Sequence, residues 1–196
     1  MQSQQQRQHI RRRRRELAPE LVTSHTAAIN SHIQHSAEFR HARRIAGYIA
    51  CDGEISLAST HSRIFSLRKT LYLPVLDEIH HNRLWFAPCY PDTRLSSNHY
   101  GIPEPVARRR QHARALGLNL VLTPLVGFDK HGHRLGMGGG YYDKSLAFLK
   151  QRKHWRRPFI LGVAYSFQEI SDIKFNEWDI PLNAIATENG IHYFDR

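Results

Sequence analysis

The chain is 196 residues long, with 41% hydrophobic and 23% charged residues, so it can bury a substantial core and fits one domain better than two. Its formal net charge of +11 would suit a nucleic-acid-binding protein, but residues 1–15 hold six arginines and no acid. Residues 16–196 contain 22 basic and 17 acidic residues, a net charge of +5. The chain is therefore not strongly basic throughout.

The sequence predicts a cytoplasmic protein without a membrane span. Cys51 and Cys89 are the two cysteines, and they lack the CxxC spacing and the density of a disulfide-stapled protein, which favours a reducing compartment. No apolar stretch approaches the roughly 20 residues that cross a bilayer. The polar start of the chain also lacks the apolar segment of a secretory signal.

The first predicted elements are helices. Residues 1–9 are polar and are expected to form a flexible N-terminal segment, so the folded domain is predicted to span 10–196. From residue 10 to residue 33, apolar side chains recur at helical spacing. Pro19 divides this stretch into two helices, because its ring would clash within a continuous one.

Short apolar runs then alternate with helical patterns. Residues 45–51 are typical of a buried strand, and the Asp52-Gly53 turn separates them from a helical pattern. The other predicted elements are a helix at 142–151 and strands at 70–76, 83–87, 118–126, 159–164, 184–187 and 191–194. This order predicts a single layered α/β domain, with a largely parallel or mixed central sheet flanked by helices.

Ligands of such sheets bind beyond the carboxyl ends of the strands, where residues 52–56, 99–105 and 129–143 form candidate loops. The third loop carries the strongest signal, because a predicted strand precedes its glycines and a predicted helix follows them. Glycine permits positive φ and lets backbone N–H groups approach an anion, and a helix N-terminus adds positive partial charge. Arg134, just before the glycines, is a fork-shaped donor suited to phosphate.

This loop matches neither of the best-known phosphate-binding motifs. No Gly-Lys-Ser/Thr sequence follows the glycines, and a GxGxxG pattern that begins at Gly136 would require glycine at the position of Tyr141. A tight turn without a ligand is the structural alternative. The flanking Arg134 and Asp143 favour a nucleotide site.

Residues 128–143, FDKHGHRLGMGGGYYD, are similar to the signature of 5-formyltetrahydrofolate cyclo-ligases, also called methenyltetrahydrofolate synthetases. Four further segments resemble this family in order and spacing. They are Arg7-x3-Arg11, Asp52-Gly-Glu54-Ile, Gly101-Ile-Pro-Glu-Pro105 and Glu177-Trp-Asp179-Ile-Pro-Leu. The resemblance extends from about residue 7 to residue 188 and covers nearly the whole chain.

The resemblance implies an ATP-dependent ligase of folate one-carbon metabolism. The family joins the formyl carbon of 5-formyltetrahydrofolate to N10 and forms 5,10-methenyltetrahydrofolate, ADP and phosphate, with Mg²⁺ as cofactor and ATP as co-substrate. Transfer of the γ-phosphoryl group turns the formyl oxygen into a phosphate leaving group. The protein contributes mainly positioning and charge neutralisation. Arg108, Arg109 and Arg110 form a basic run that could attract the anionic tail of a polyglutamylated folate, so that form of the substrate is an open alternative.

The resemblance also assigns the site residues. The implied ATP-binding positions are Arg7, Arg11, Arg134, Leu135, Gly136, Met137, Gly138, Gly139, Gly140, Tyr141 and Tyr142. The implied folate-binding positions are Ile49, Glu54, Tyr100, Met137 and Tyr141. The implied magnesium ligands are Asp143 and Asp179, and the implied catalytic residues are Glu54, Arg134 and Tyr141.

The chain departs from the family pattern at two positions. Arg7 stands where lysine is usual, which keeps the charge but changes the geometry of a phosphate contact. Ala18 replaces the serine that would cap the helix beginning at Pro19. These departures leave the reacting groups unchanged and put the details of the phosphate contact in question.

Several of these residues also have structural alternatives. Glu54 could interact with the N-terminus of the helix that follows it. Asp179 could form hydrogen bonds within its own turn, as aspartate in such settings often does. Tyr141 and Tyr142 could be ordinary packing aromatics.

Two other functions compete with the enzyme. Residues 11–15 could form a nucleic-acid-binding arm with salt-dependent phosphate contacts, although no recognition motif accompanies them and consecutive helical arginines point in different directions. A non-catalytic nucleotide- or folate-binding protein is the second alternative. The fourteen histidines match no zinc-ligand spacing. The full set of arginine, glycine and aspartate positions favours an enzyme with small-molecule partners, and without nucleic acid or membrane as partners.

Overall fold

The computed structural model describes residues 2–77, 82–151, 157–171 and 173–195, without the side chains of residues 2 and 3. Its α-helices are α1 (Gln2–Arg15), α2 (Pro19–His35), α3 (Ala37–His41), α4 (Ala58–Ser66) and α5 (Tyr141–Leu146). Its strands are β1 (Arg44–Ala46), β2 (Thr70–Leu76), β3 (Leu84–Cys89), β4 (Leu95–Ser97), β5 (Pro103–Pro105), β6 (Leu120–Pro124), β7 (Gly127–Phe128), β8 (Arg134–Leu135), β9 (Phe159–Val163), β10 (Ala184–Thr187) and β11 (Gly190–Tyr193).

Seven strands form one mixed sheet in the order β11-β10-β9-β6-β1-β2-β3. The five inner strands are parallel to one another, while β11 and β3 pair antiparallel at the two edges. Two small hairpins, β4–β5 and β7–β8, lie outside this sheet. The predicted largely parallel or mixed sheet with flanking helices is therefore confirmed.

Side chains on the two faces of the sheet belong to two separate cores. Along β6, Leu120 and Leu122 belong to the core that includes Ile33 of α2, whereas Val121 belongs to the other core. This alternation follows from strand geometry, which turns successive side chains to opposite faces. All four side chains are fully or almost fully buried, and each such burial stabilises the fold by about 1.5–3 kcal/mol.

The predicted strand at 45–51 is too long, because the paired strand β1 ends at Ala46. The chain then leaves the sheet: a Cβ at Gly47 would lie 2.6 Å from Nε2 of His61, and the Tyr48 hydroxyl donates to Ile55 O at 2.9 Å. Residues 48–51 thus form a loop that packs against the core, which explains their apolar character without a longer strand.

Other predicted boundaries also change. The predicted helix at 142–151 begins one residue earlier, and its second half, Ala147–Gln151, is a 3₁₀-helix. The predicted strand at 118–126 shortens to β6, because the chain turns off after Pro124 to form the β7–β8 hairpin. The sequence did not predict either small hairpin.

Helix α1 crosses the boundary that the sequence predicted between residues 9 and 10. Ile10 is buried, and a Cβ on Gly127 of β7 would lie 3.3 Å from its Cδ1 atom, so α1 packs on the domain. The flexibility of residues 1–9 stays a prediction. Helix α2 begins at Pro19, as predicted, and Ala18 caps it with no side-chain hydrogen bond. Within the described ranges, none of the helices is long and apolar enough to cross a membrane.

Candidate active site

The direction of strand succession reverses between β1 and β6. From β1 the chain proceeds outward to β2 and β3, whereas β6, β9 and β10 succeed one another on the other side. Loops that follow β1 and β6 therefore emerge side by side at the carboxyl edge, which is where open α/β sheets bind ligands. The loop after β1 carries Glu54, and the connection after β6 leads into the glycine-rich loop.

The loop after β1 is a tight turn that ends at Glu54. Asp52 and Gly53 both have positive φ, 49° and 75°, and the Glu54 N–H donates to Cys51 O at 2.9 Å. The Glu54 carboxylate turns back and accepts a hydrogen bond from the Cys51 N–H at 3.1 Å. In the described part of the chain its hydrogen bonds are therefore with Cys51, within the turn, and not with the backbone at the N-terminus of α4.

Glu54 occupies an environment that disfavours its charge. Burial raises the pKa of Glu54 above 4.5, although the Cys51 N–H and the positive charge of Arg14 act in the opposite direction. Burial and the charge of Glu54 also raise the pKa values of Tyr48 and Tyr142 above their usual range. A carboxylate with a raised pKa is suited to accept a proton from a substrate near neutral pH.

The glycine-rich loop presents its backbone to open space. Gly138 and Gly140 have φ values of 105° and 66°, and a Cβ on either would meet no atom within 4 Å. Gly140 is the N-cap of α5 and supplies no side-chain capping hydrogen bond to this short helix. At Gly139 a Cβ would lie 2.6 Å from the Tyr141 ring. The loop therefore requires glycine and offers a cradle that an anion can approach.

Helix α1 lies against both loops through two of the predicted arginines. Arg7 Nε donates to Gly136 O at 2.7 Å, and Arg11 Nε donates to Asp52 Oδ2 at 2.5 Å. Leu135, in contrast, is buried, and its carbonyl accepts from the Val126 N–H. The Leu135 side chain therefore contributes to the core, and its predicted contact with ATP would have to come from the remaining backbone.

Arg134 is buried and already engaged. Its Nη2 donates to Asp143 Oδ1 at 2.5 Å and its Nη1 to Ile180 O at 2.7 Å, and its side chain is only 5% exposed. Burial lowers the pKa of Arg134, while the negative charges of Asp143 and Asp179 oppose this shift. The structure thus brings the predicted phosphate ligand and both predicted metal ligands into one electrostatic cluster.

The two aspartates differ in their contacts. Asp143 uses Oδ1 for Arg134 and for the Ile180 N–H at 3.1 Å, and its Oδ2 has no hydrogen bond within the described ranges. Asp179 accepts from the Asn176 N–H at 2.9 Å, so the predicted alternative of a hydrogen bond within its own turn is present. Nowhere in the described part of the chain do three or more His, Cys, Asp or Glu residues form a metal-binding group.

Aromatic and apolar side chains border the same loops. The hydroxyls of Tyr100 and Tyr141 are 2.9 Å apart, and the two rings meet edge to face. Met137 is 52% exposed on the glycine-rich loop, and Ile49 packs at the margin of the core. Tyr100 and Tyr141 thus form one aromatic surface, and their contact with folate stays a prediction.

Sequence reasoning missed Arg14 and Asp52. The Arg14 side chain is 1% exposed and its Nη2 donates to Asp52 Oδ2 at 3.0 Å, while Arg11 and Arg15 reach the same carboxylate. The available signal was the spacing of Arg7, Arg11 and Arg14, which places them on one helix face. A run with a buried member that packs on the domain is also not a freely solvated arm for nucleic acid.

Comparison with known proteins agrees with this geometry. The model of the 5-formyltetrahydrofolate cyclo-ligase family matches residues 1–188. The chain is 36% identical to the 5-formyltetrahydrofolate cyclo-ligase of Haemophilus influenzae, over 91% of this chain and 95% of that protein. It is 32% identical to the Escherichia coli enzyme of the same name, over 93% and 98%.

A solved structure gives the same result for the fold. The NMR structure of the 5,10-methenyltetrahydrofolate synthetase of Aquifex aeolicus has a TM-score of 0.83 and 27% sequence identity, and the match covers 100% of this chain and 94% of that one. The fold, the site and the relatives lead to one conclusion: the chain belongs to the 5-formyltetrahydrofolate cyclo-ligase family.

Proposed function

We propose that this protein is an enzyme that uses ATP to cyclise 5-formyltetrahydrofolate to 5,10-methenyltetrahydrofolate, with release of ADP and phosphate. The observation that carries the proposal is the meeting of two loops at the point where strand succession reverses. One loop presents a carboxylate, Glu54, and the other presents an open glycine backbone. In a member of this family, the two loops correspond to a folate half and a nucleotide half of one site.

The nucleotide half is assigned to the glycine-rich loop and α1. The open backbone around Gly138 and Gly140 can approach phosphate oxygens without a side chain between them. Arg7 already donates to the loop at Gly136 O and supplies positive charge there, and Arg11, one turn further along α1 and paired with Asp52, is assigned to the same half. Arg134 fixes Asp143 next to the same loop. This arrangement suits the positioning of a γ-phosphoryl group in line with an acceptor oxygen.

The folate half is assigned to Glu54, Ile49 and the Tyr100–Tyr141 surface. When the γ-phosphoryl group passes to the formyl oxygen, the bond from γ-phosphorus to the oxygen that bridges it to ADP breaks and ADP leaves. N10 then attacks the formyl carbon, the carbon–oxygen bond breaks and phosphate departs. N10 must lose its proton in this step. Glu54 is the group assigned to take this proton, because burial raises its pKa towards neutral pH.

The predicted magnesium ligands fit a hard cation that is shared with phosphate. Mg²⁺ in nucleotide sites uses one or two carboxylates and completes its coordination with phosphate oxygens and water. Asp143 has one carboxylate oxygen without a hydrogen bond in the described ranges, and Asp179 lies close enough to influence the same arginine. When bound, Mg²⁺ neutralises charge on the phosphate oxygens; Asp143 and Asp179 are the residues that would hold it.

Two finer assignments belong to the same proposal. Arg108, Arg109 and Arg110 are exposed, so a polyglutamylated folate could place its anionic tail against them. Cys51 and Cys89 are free thiols, which suits the cytoplasm. A comparison of kcat/KM for mono- and pentaglutamylated substrate, in wild type and in a triple Arg→Ala variant at residues 108–110, tests the first assignment.

The reaction itself is tested with purified protein. We expect the near-ultraviolet absorption of the methenyl product to rise only when ATP, a divalent metal and 5-formyltetrahydrofolate are all present. Excess chelator or omission of ATP should abolish the signal. Product formation at an undiminished rate under either condition would show that the assigned reaction is wrong.

Replacement of Arg7 and Arg11, the two arginines of α1 that are predicted to contact phosphate, should raise the KM for ATP more than replacement of neighbouring arginines does. Arg7→Ala combined with Arg11→Ala should raise the apparent KM for ATP at least about tenfold, because a charge-assisted contact contributes about 1.5–3 kcal/mol. The matched control is Arg12→Ala with Arg13→Ala, since Arg12 is exposed and Arg13 lies over the Phe167 ring. Equal effects of the two double variants on the KM for ATP would remove Arg7 and Arg11 from the nucleotide site.

A further inference from the structure

One face of α1 carries three arginines with different surroundings. Arg7, Arg11 and Arg14 follow the spacing i, i+4, i+7 and therefore share this face. Arg7 reaches the glycine-rich loop, and Arg11 reaches the turn that precedes Glu54. Arg14, at the end of the face, is buried against the Asp52-Gly53 turn and the backbone just after β6. The helix with the proposed ATP contacts is thus fastened to the loop with the proposed folate contact.

Arg14 links three parts of the chain. Its Nη2 donates to Asp52 Oδ2 at 3.0 Å, and its Nη1 lies 3.4 Å from Leu125 O, just after β6 on the way to the glycine-rich loop. The Nε atom is buried and has no hydrogen-bond partner in the described part of the chain. Burying a cation with an incomplete set of partners costs free energy of folding. Stabilisation of the fold is therefore a weak explanation for the buried position of Arg14.

The turn before Glu54 packs directly on the backbone of α1 at Arg14. A Cβ on Gly53 would lie 3.2 Å from the Cβ of Arg14 and 3.3 Å from its carbonyl carbon, and Gly53 has a φ of 75°. The Asp52 carboxylate then closes the contact by accepting from Arg11 and Arg14. A shift of α1 by a fraction of an ångström must therefore move the turn, and with it the Glu54 carboxylate.

We propose that Arg14 is a positioning residue that couples the nucleotide and folate halves of the site, by holding α1 and the Asp52-Gly53 turn together so that occupation of one half orders the other. The proposal rests on the proposed function, since it takes Arg11 as a nucleotide contact and Glu54 as a folate contact. Coupling of this kind is reciprocal. If the nucleotide increases the affinity for folate, folate must increase the affinity for the nucleotide by the same factor.

The charge of Arg14 supports this role. Cys51, Asp52, Tyr48 and Tyr142 also face Glu54, and Arg14 is the cation of this group. Burial alone would raise the pKa of Asp52, but Arg11 and Arg14 together lower it below 3.8. Loss of the Arg14 charge should raise the pKa of Glu54 further. The acid limb of the pH–rate profile should then move to higher pH.

The test measures binding, with and without the second ligand. Calorimetry gives the Kd of 5-formyltetrahydrofolate alone and with a non-hydrolysable ATP analogue and Mg²⁺. For the wild type we expect the analogue to tighten folate binding about fivefold or more. Arg14→Met should bring this ratio close to one and reduce kcat/KM for folate at least about tenfold. Arg14→Lys, which keeps the charge, should retain part of the ratio.

Two further variants separate coupling from simple stability. Arg15→Met is the matched control, because Arg15 faces the same carboxylate at 3.4 Å from a side chain that is 58% exposed, so the ratio should stay at the wild-type value. Asp52→Asn breaks the same ion pair from its partly exposed side and should lower the ratio even if Arg14→Met does not fold. Melting temperatures of all variants are measured alongside.

The proposal is overturned if the wild type shows no coupling, if Arg14→Met or Asp52→Asn keeps the wild-type ratio, or if Arg15→Met lowers it equally. These results differ from a failure of the proposed function. In that case the wild type forms no methenyl product, and 5-formyltetrahydrofolate does not bind at all. Wild-type turnover combined with a ratio of one rejects the coupling and leaves the reaction standing.

Discussion

Replacement of Glu54 by glutamine is expected to lower kcat by about 10²- to 10⁴-fold, the usual contribution of a positioned general acid or base. Glutamine keeps the shape of the side chain and can still accept the hydrogen bond from the Cys51 N–H. It cannot take a proton from N10. Steady-state kinetics of methenyl formation, at saturating ATP and folate, measure the effect.

The same substitution should not destabilise the protein at neutral pH. Because burial raises the pKa of Glu54 in the folded state, the protonated acid favours folding below pH 4.5, and this advantage is lost as pH rises through the raised pKa. Above the raised pKa the ionised carboxylate opposes folding, and a neutral amide removes that cost. Glu54→Gln should therefore melt at the same temperature as the wild type or higher, while its turnover falls.

A matched substitution shows whether the loss is specific to this site. Glu16→Gln removes an equal charge from a side chain that is 65% exposed just after α1, and it should leave both kcat and melting temperature unchanged. The fall in rate at low pH that the wild type shows should persist in Glu16→Gln and disappear in Glu54→Gln. Near-normal turnover of Glu54→Gln would return Glu54 to a role within its own turn.

The sequence predicts the turn geometry of the two loops well because the physical requirements are local. A positive φ at Gly53, Gly138 and Gly140 and an open backbone around the last two demand glycine, so the composition of both loops reflects their geometry. The position of Glu54 follows from a general rule, since ligands gather at the carboxyl edge of a parallel sheet. These predictions need no knowledge of long-range packing.

The prediction fails where packing decides. Arg12 and Arg14 look alike in a run of five arginines, but Arg12 is exposed and Arg14 is buried, because Ile10 and Gly53 fix which face of α1 meets the domain. Tyr48 is buried because it belongs to a loop that packs on the core, and not because it lies in a strand. The predicted strand was therefore longer than β1. Two-residue strands such as β7 are shorter than the run of about four to eight alternating residues by which a sequence indicates a strand.

Asp143→Asn is expected to reduce the use of Mg²⁺ and also to destabilise the fold. The neutral amide lacks the charge that a hard cation prefers, so the Mg²⁺ concentration that gives half-maximal rate should rise. It also leaves the buried Arg134 guanidinium without its paired charge, although an amide oxygen can still accept the hydrogen bonds from Arg134 and Ile180. Loss of one partner of a buried pair costs about 3–5 kcal/mol, and we expect the lower end of this range.

Asp179→Asn is the comparison that separates these two effects. Its amide oxygen can still accept from the Asn176 N–H, and no ion pair with Arg134 is lost, so the melting temperature should change little. Its Mg²⁺ requirement should nevertheless rise as it does for Asp143→Asn. A wild-type Mg²⁺ dependence in either variant would leave that aspartate with a structural role only.

A second-site change tests the cause of the instability in Asp143→Asn. About 3 kcal/mol corresponds to roughly 6–12 °C in melting temperature for a domain of this size. If the unpaired Arg134 cation is responsible, Asp143→Asn combined with Arg134→Met should recover a large part of that loss, because no buried charge then lacks a partner. The double variant should turn over no faster than Asp143→Asn, since the metal ligand is still absent and Arg134 is itself a predicted ATP contact. Additive destabilisation by Arg134→Met would show instead that the cost arises from lost packing around Ile180, and that the ion pair contributes little.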